Sequence, residues 1–184
     1  MQPPSAALRL VAAATTLLSA AQAADEPFLG PLAPFEVSAL SAPCGAANSH
    51  NVTLTVANPN RVTAGRAPHA EGGGYWSFEN STARCATGGC AEVSSASSSS
   101  SAQWSFRVSN GTEAGFDVAF TLVYNVTRWG GVYYKVLEGT GRFVVGEQLV
   151  KRGGDDDDGC ELVLADGAAP VLVPPTITDC KGTC

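Results

Sequence analysis

Residues 101–136 read SAQWSFRVSNGTEAGFDVAFTLVYNVTRWGGVYYKV, and this stretch decides the fold. Trp104, Phe106 and Val108 alternate with Ser105, Arg107 and Ser109. Asn110-Gly111 then turns the chain, with the turn extending as far as Glu113, and Phe116, Val118, Phe120, Leu122 and Tyr124 form the longest alternating stripe. A period of two places one set of side chains on one face of a strand, and Asn-Gly between two such runs is a strong hairpin signal. Trp129-Gly130-Gly131 turns the chain again into Val132, Tyr134 and Val136.

The same period extends outward in both directions. Val52, Leu54 and Val56 alternate with Asn51, Thr53 and Thr55, while Gly139 to Gly141 punctuate the chain before Arg142-Phe143-Val144-Val145. Shorter strands are expected at 35–40, 75–78, 160–164 and 171–173. No segment after the N-terminal region carries a helical stripe of ten or more residues, roughly the length at which helix and strand are told apart. The expected class is therefore all-β, an antiparallel β-sandwich or barrel stapled by disulfides, with long Ser-rich and Asp-rich loops. Those loops are placed at about residues 94–101 and 151–159, where serine and aspartate runs have no apolar surface to bury.

The N-terminus specifies a compartment. Arg9, the apolar run Leu10 to Ala21 and the small residues of Ala21-Gln22-Ala23 have the three parts of a signal peptide. Residues 1–23 are read as the leader and 24–184 as one secreted β-domain, which should be soluble and free of a membrane. The six cysteines, Cys44, Cys85, Cys90, Cys160, Cys180 and Cys184, all follow the leader, as disulfides in an oxidising compartment require. Asn51, Asn80, Asn110 and Asn125 each open an Asn-x-Ser/Thr acceptor sequence with no proline in the middle. Cys85 and Cys90 are expected to close a local loop, and Cys160 to pair with Cys180 or Cys184, leaving Cys44 to the other.

Composition narrows the partners. The chain holds 17 acidic and 11 basic residues for a formal charge of −6, which disfavours nucleic acid and anionic lipid. Asp155 to Asp158 supply four of those acids, so the acidity is largely local. That run is read as a solvated loop, because an EF-hand starting at Asp155 requires glycine where Cys160 sits. His50 and His69 are read as surface histidines: neither has the strand-borne His, Glu and Arg setting of a small secreted ribonuclease. No Gly-x-Ser-x-Gly elbow occurs, and the four residues between Cys85 and Cys90 match neither a redox motif nor a zinc site. No catalytic residue, cofactor or metal is therefore assigned. Trp129 at a hairpin tip is read either as a ring folded back over the sheet end or as a candidate contact for a partner, an extracellular protein or a polysaccharide. Lys151-Arg152, beside a glycine-flanked loop, has the form of a dibasic processing site.

The order of these features resembles the small secreted cysteine-containing proteins of filamentous fungi, of the major-allergen and cell-wall-elicitor type. The resemblance is carried by Phe35-Glu36-Val37-Ser38-Ala39-Leu40-Ser41-Ala42 before a cysteine, by Val52 to Val56, by Trp104-Ser105-Phe106, and by the β-rich chain up to Val145. It covers residues 35 to 165 as pattern, and the cysteine spacing departs from the family. It implies a non-enzymatic secreted effector or surface protein acting at a host or cell-wall interface. The competing readings are a small secreted hydrolase, glycosidase or ribonuclease, using carboxylates or histidine, and a structural wall glycoprotein with O-glycans on its serine loop.

Overall fold

A computed structural model describes residues 31–44, 51–66, 75–86, 89–95, 101–128, 130–153 and 159–182. These residues form strands and connections without a helix. Strands β1 (Phe35–Pro43), β2 (Thr53–Asn58), β5 (Ser81–Ala86), β6 (Gly89–Ser95), β10 (Leu149–Arg152), β11 (Glu161–Leu164) and β12 (Val171–Val173) make a seven-stranded sheet. Its order is β10-β11-β1-β2-β5-β6, with β12 beside the first half of β1. Strands β7 (Ser101–Thr112), β8 (Gly115–Arg128), β9 (Gly131–Val144) and β13 (Thr176–Lys181) make a four-stranded sheet in the order β13-β9-β8-β7. A separate hairpin joins β3 (Val62–Arg66) to β4 (Tyr75–Phe78). All the strand pairs are antiparallel.

The two large sheets bury one shared core, so the architecture is a sandwich. Phe116, Val118, Phe120, Leu122 and Tyr124 all face inward, as their alternation predicts, and meet Val37, Val56, Leu54 and Phe35 of the opposite sheet in one buried cluster. Each fully buried side chain of this size contributes about 1.5–3 kcal/mol. Phe78 stacks on Tyr124 with ring centroids 5.0 Å apart, and Trp104 meets Phe35 edge-on at the same distance.

Two local readings are corrected by the structure. The first hairpin turns at Glu113-Ala114, between the paired Thr112 and Gly115, and not at Asn110-Gly111. The register slips between Ser109 and Thr112, and Asn110 takes a positive φ of 53°, so Asn-Gly forms an irregularity in β7 before the turn. Gly139 and Gly141 do not end a strand: β9 runs straight through them. A Cβ at Gly141 would stand 2.6 Å from Val173 Cγ2, and one at Gly139 would be 3.0 Å from the Pro174 carbonyl oxygen. The glycines are there to let β12 approach the sheet closely. Ser94 and Ser95 belong to β6, Ser101 begins β7 and Lys151-Arg152 belongs to β10, while residues 96–100 and 154–158 of the two expected loops lie outside the described residues.

The covalent scheme is also corrected. Cys85 and Cys90 are bonded across the β5–β6 turn, as their spacing predicts. Cys44 is bonded to Cys160, where a C-terminal partner was expected for each. The ladder between β1 and β11 ends with Pro43 opposite Glu161, which brings the next pair, Cys44 and Cys160, together, and the Cys44 N–H donates to the Cys160 carbonyl at 3.0 Å. Cys180 is disulfide-bonded as well, and Cys184 lies outside the described residues.

Candidate functional site

The acceptor asparagines are the first residues to place. Asn51, Asn80, Asn110 and Asn125 are all exposed. Asn51 precedes β2 and Asn80 precedes β5, on the seven-stranded sheet, while Asn110 and Asn125 belong to β7 and β8 of the other. Trp129, His50, His69, Asp155 to Asp158 and the expected leader, residues 1–23, lie outside the described residues. Lys151 and Arg152 are exposed on β10. Among the described residues no three His, Cys, Asp or Glu side chains cluster as metal ligands would.

One group of buried polar side chains forms a hydrogen-bonded network between the two sheets. Trp104 Nε1 donates to Ser81 Oγ at 3.0 Å, and Asn58 Nδ2 donates to the Tyr124 hydroxyl at 2.8 Å. That hydroxyl donates to the Glu79 carbonyl at 2.9 Å, and Ser81 Oγ lies 3.4 Å from it. Asn60 Nδ2 bridges Asn58 Oδ1 and the Ala33 carbonyl, and Asn60 Oδ1 accepts from the Ala33 N–H at 2.7 Å. Burial pushes the Tyr124 pKa up against the lowering effect of Ser81 and Asn58. The group is a neutral, satisfied brace between the sheets, as buried polar groups must be. Lys135, facing inward on β9 opposite Tyr124, is 2% exposed, and burial pushes its amine pKa down.

A concave polar surface lies outside the core, on the outer face of the four-stranded sheet. There Arg107, Ala119 and Thr140 form one cross-strand row and Ser105, Thr121 and Glu138 the next. These six side chains line a trough of about 430 Å³. Its shape follows from residue size: Ala119 and Thr121 are short and central, while Arg107 and Glu138 rise on the flanking strands. Neither Arg107 nor Glu138 joins an ion pair among the described residues. The row beyond Arg107 is fixed, because Arg142 pairs with Asp117 at 2.9 Å and Asn110 Nδ2 donates to the same carboxylate at 2.6 Å. The Asn110 hydrogen bond, followed by Arg142, holds the Asp117 pKa below its usual value.

The acceptor sites bracket this trough. Asn125 shares the outer face with Thr121, four residues along β8 and so about 13 Å away. Asn110 lies at the opposite end, bonded to Asp117, two residues from Ala119. A second, shallower depression of about 380 Å³ crosses the outer face of the seven-stranded sheet over Ser41, Thr53, Thr55 and Arg84. Sequence reading missed both surfaces. Arg107 and Glu138 lie 31 residues apart, on strands either side of β8, and come to line one trough only through strand register. The one signal in the sequence was the run of small outward residues, Ser105, Ala119 and Thr121, on strands whose alternation was plain.

The chain matches no family model, no curated protein and no solved structure.

Proposed function

We propose that this is a secreted, N-glycosylated binding protein of the effector-like kind, acting in the extracellular space at a host or cell-wall interface. Its ligand is a neutral polysaccharide held in the trough between Asn110 and Asn125. The trough carries the reading: three hydroxyl side chains, Ser105, Thr121 and Thr140, stand with one guanidinium and one carboxylate in a single concavity. A sugar chain offers hydroxyls that both donate and accept, and paired donors and acceptors of opposite charge suit such a neutral polyol. Four exposed acceptor asparagines and the disulfides support the compartment. The pattern-level resemblance to fungal elicitor-type proteins belongs to the same proposal.

Calorimetric titration of the secreted protein with soluble β-glucan and chitin oligosaccharides tests it. Binding to one of them is expected, reduced at least about tenfold in Arg107→Ala/Glu138→Ala, the change that loss of roughly 1.4 kcal/mol produces. Arg84→Ala, on the other sheet, should bind as the parent does. No binding to either sugar, or binding that ignores the double substitution, defeats the reading.

A further inference from the structure

Lys151-Arg152 is the one place in the sequence where two basic residues are adjacent. The pair forms the second half of β10, with both side chains exposed. β10 is the outermost strand of its sheet: Leu149 is buried in the core and bridged to Val145, while Val150, Lys151 and Arg152 are exposed and laddered on one side only, to β11. An edge strand is already extended and presents main-chain groups to a visiting chain, the form in which an endoprotease cleft takes its substrate. Arg152 is lightly held: its contact to Asp166 is 3.7 Å long, between side chains that are 60% and 100% exposed, a kind of pair that contributes little.

The chain just beyond the pair suits a cut. Gly153 has a φ of 102° and packs so closely on Gly159 that a Cβ would collide with the Gly159 carbonyl oxygen. The two ends of the connection are therefore side by side, and Arg152 opposite Glu161 keeps them so through the ladder. The Cys44–Cys160 bond lies close by and joins chain from before the connection to chain from after it. Breaking the connection leaves β10 and β11 paired and the two pieces covalently joined.

We propose that the Arg152–Gly153 peptide bond is a maturation site, cut by a secretory-pathway serine endoprotease of dibasic specificity, and that the finished protein is a two-chain sandwich held by Cys44–Cys160. Water is the co-reactant: its hydroxyl goes to the Arg152 carbonyl carbon and its proton to the Gly153 nitrogen. The first chain then ends in a carboxylate at Arg152. The second begins Gly153-Gly154-Asp155, so the four aspartates come directly after a free amino end. This inference rests on the secretory reading above.

The test expresses the full chain in a secreting host that carries such a protease, and also incubates protein from a protease-deficient host with the purified enzyme. Gels run with and without reductant and N-terminal sequencing are the readouts. The expected result is one species unreduced, two when reduced, and a smaller chain that begins at Gly153. Lys151→Gln/Arg152→Gln should remain one chain under reduction. An intact parent chain that has lost residues 1–23 and carries glycans overturns the maturation site while leaving the secretory reading in place. A smaller chain with another N-terminus, or cleavage that persists in the double variant, overturns it too. A product that retains Met1 and carries no glycan overturns both.

Discussion

In the four-stranded sheet, β7, β8 and β9 are consecutive in sequence and are joined by two short turns. In the seven-stranded sheet, β1 finds β2 nearby, but its other edge is filled by β11 and β12, from the far end of the chain. Apart from β13, which returns from the far end of the chain to pair with β9, the first sheet is stabilised by long alternating strands and local pairing. The second requires a distant closure, whose entropy must be met before any contact forms. Cys180, on β13 of the four-stranded sheet, is disulfide-bonded. Cys44–Cys160 and Cys85–Cys90 both lie in the seven-stranded sheet, and the first of them spans 116 residues at the distant junction.

The largest expected effect breaks that junction. Cys44→Ser/Cys160→Ser removes a constraint on a long loop, for which the chain-entropy model gives roughly 4–5 kcal/mol; Cys85→Ser/Cys90→Ser, closing a loop of five residues, should cost about 2 kcal/mol. Denaturant midpoints of the two variants compare them directly. Equal losses, or the reverse order, would show that the distant closure does not depend on its staple.

A smaller change probes the brace between the sheets. Tyr124→Phe keeps the ring stacked on Phe78 but removes the hydroxyl that serves Asn58 and Glu79. Leaving those buried groups unpaired is expected to cost about 1–3 kcal/mol. The lowered midpoint should come with an unchanged denaturant slope, because the fold is the same. A loss under about 0.5 kcal/mol, the range of a neutral surface change, would mean that the network does not hold the sheets together.

The same contrast explains what could be read from the sequence. β7, β8 and the first part of β9 were legible because each carries large apolar residues at alternate places, with turn signals between. β5 was not, since its inward positions are Ser81, Ala83 and Cys85, small residues buried by a hydrogen bond, by packing and by a disulfide. β1 hides its period behind a register shift between Val37 and Ala39, so that Phe35 and Val37 face inward and then Leu40 and Ala42 do. β10 and β13 are edge strands, where mostly exposed side chains blur the alternation. The acceptor asparagines were legible as local motifs. The trough was not, because Arg107 and Glu138 come to line it by pairing alone.

Covalent chemistry offers the most direct test of the account. Peptide mapping by mass spectrometry, without reduction, on protein secreted by a eukaryotic host reads the leader, the glycans and the disulfides together. The expected result is an N-terminus at Ala24, glycan on Asn51, Asn80, Asn110 and Asn125, and linked peptides for Cys44–Cys160 and Cys85–Cys90. A chain that retains Met1, with unmodified asparagines and thiols at Cys44 and Cys160 open to alkylation, would contradict it.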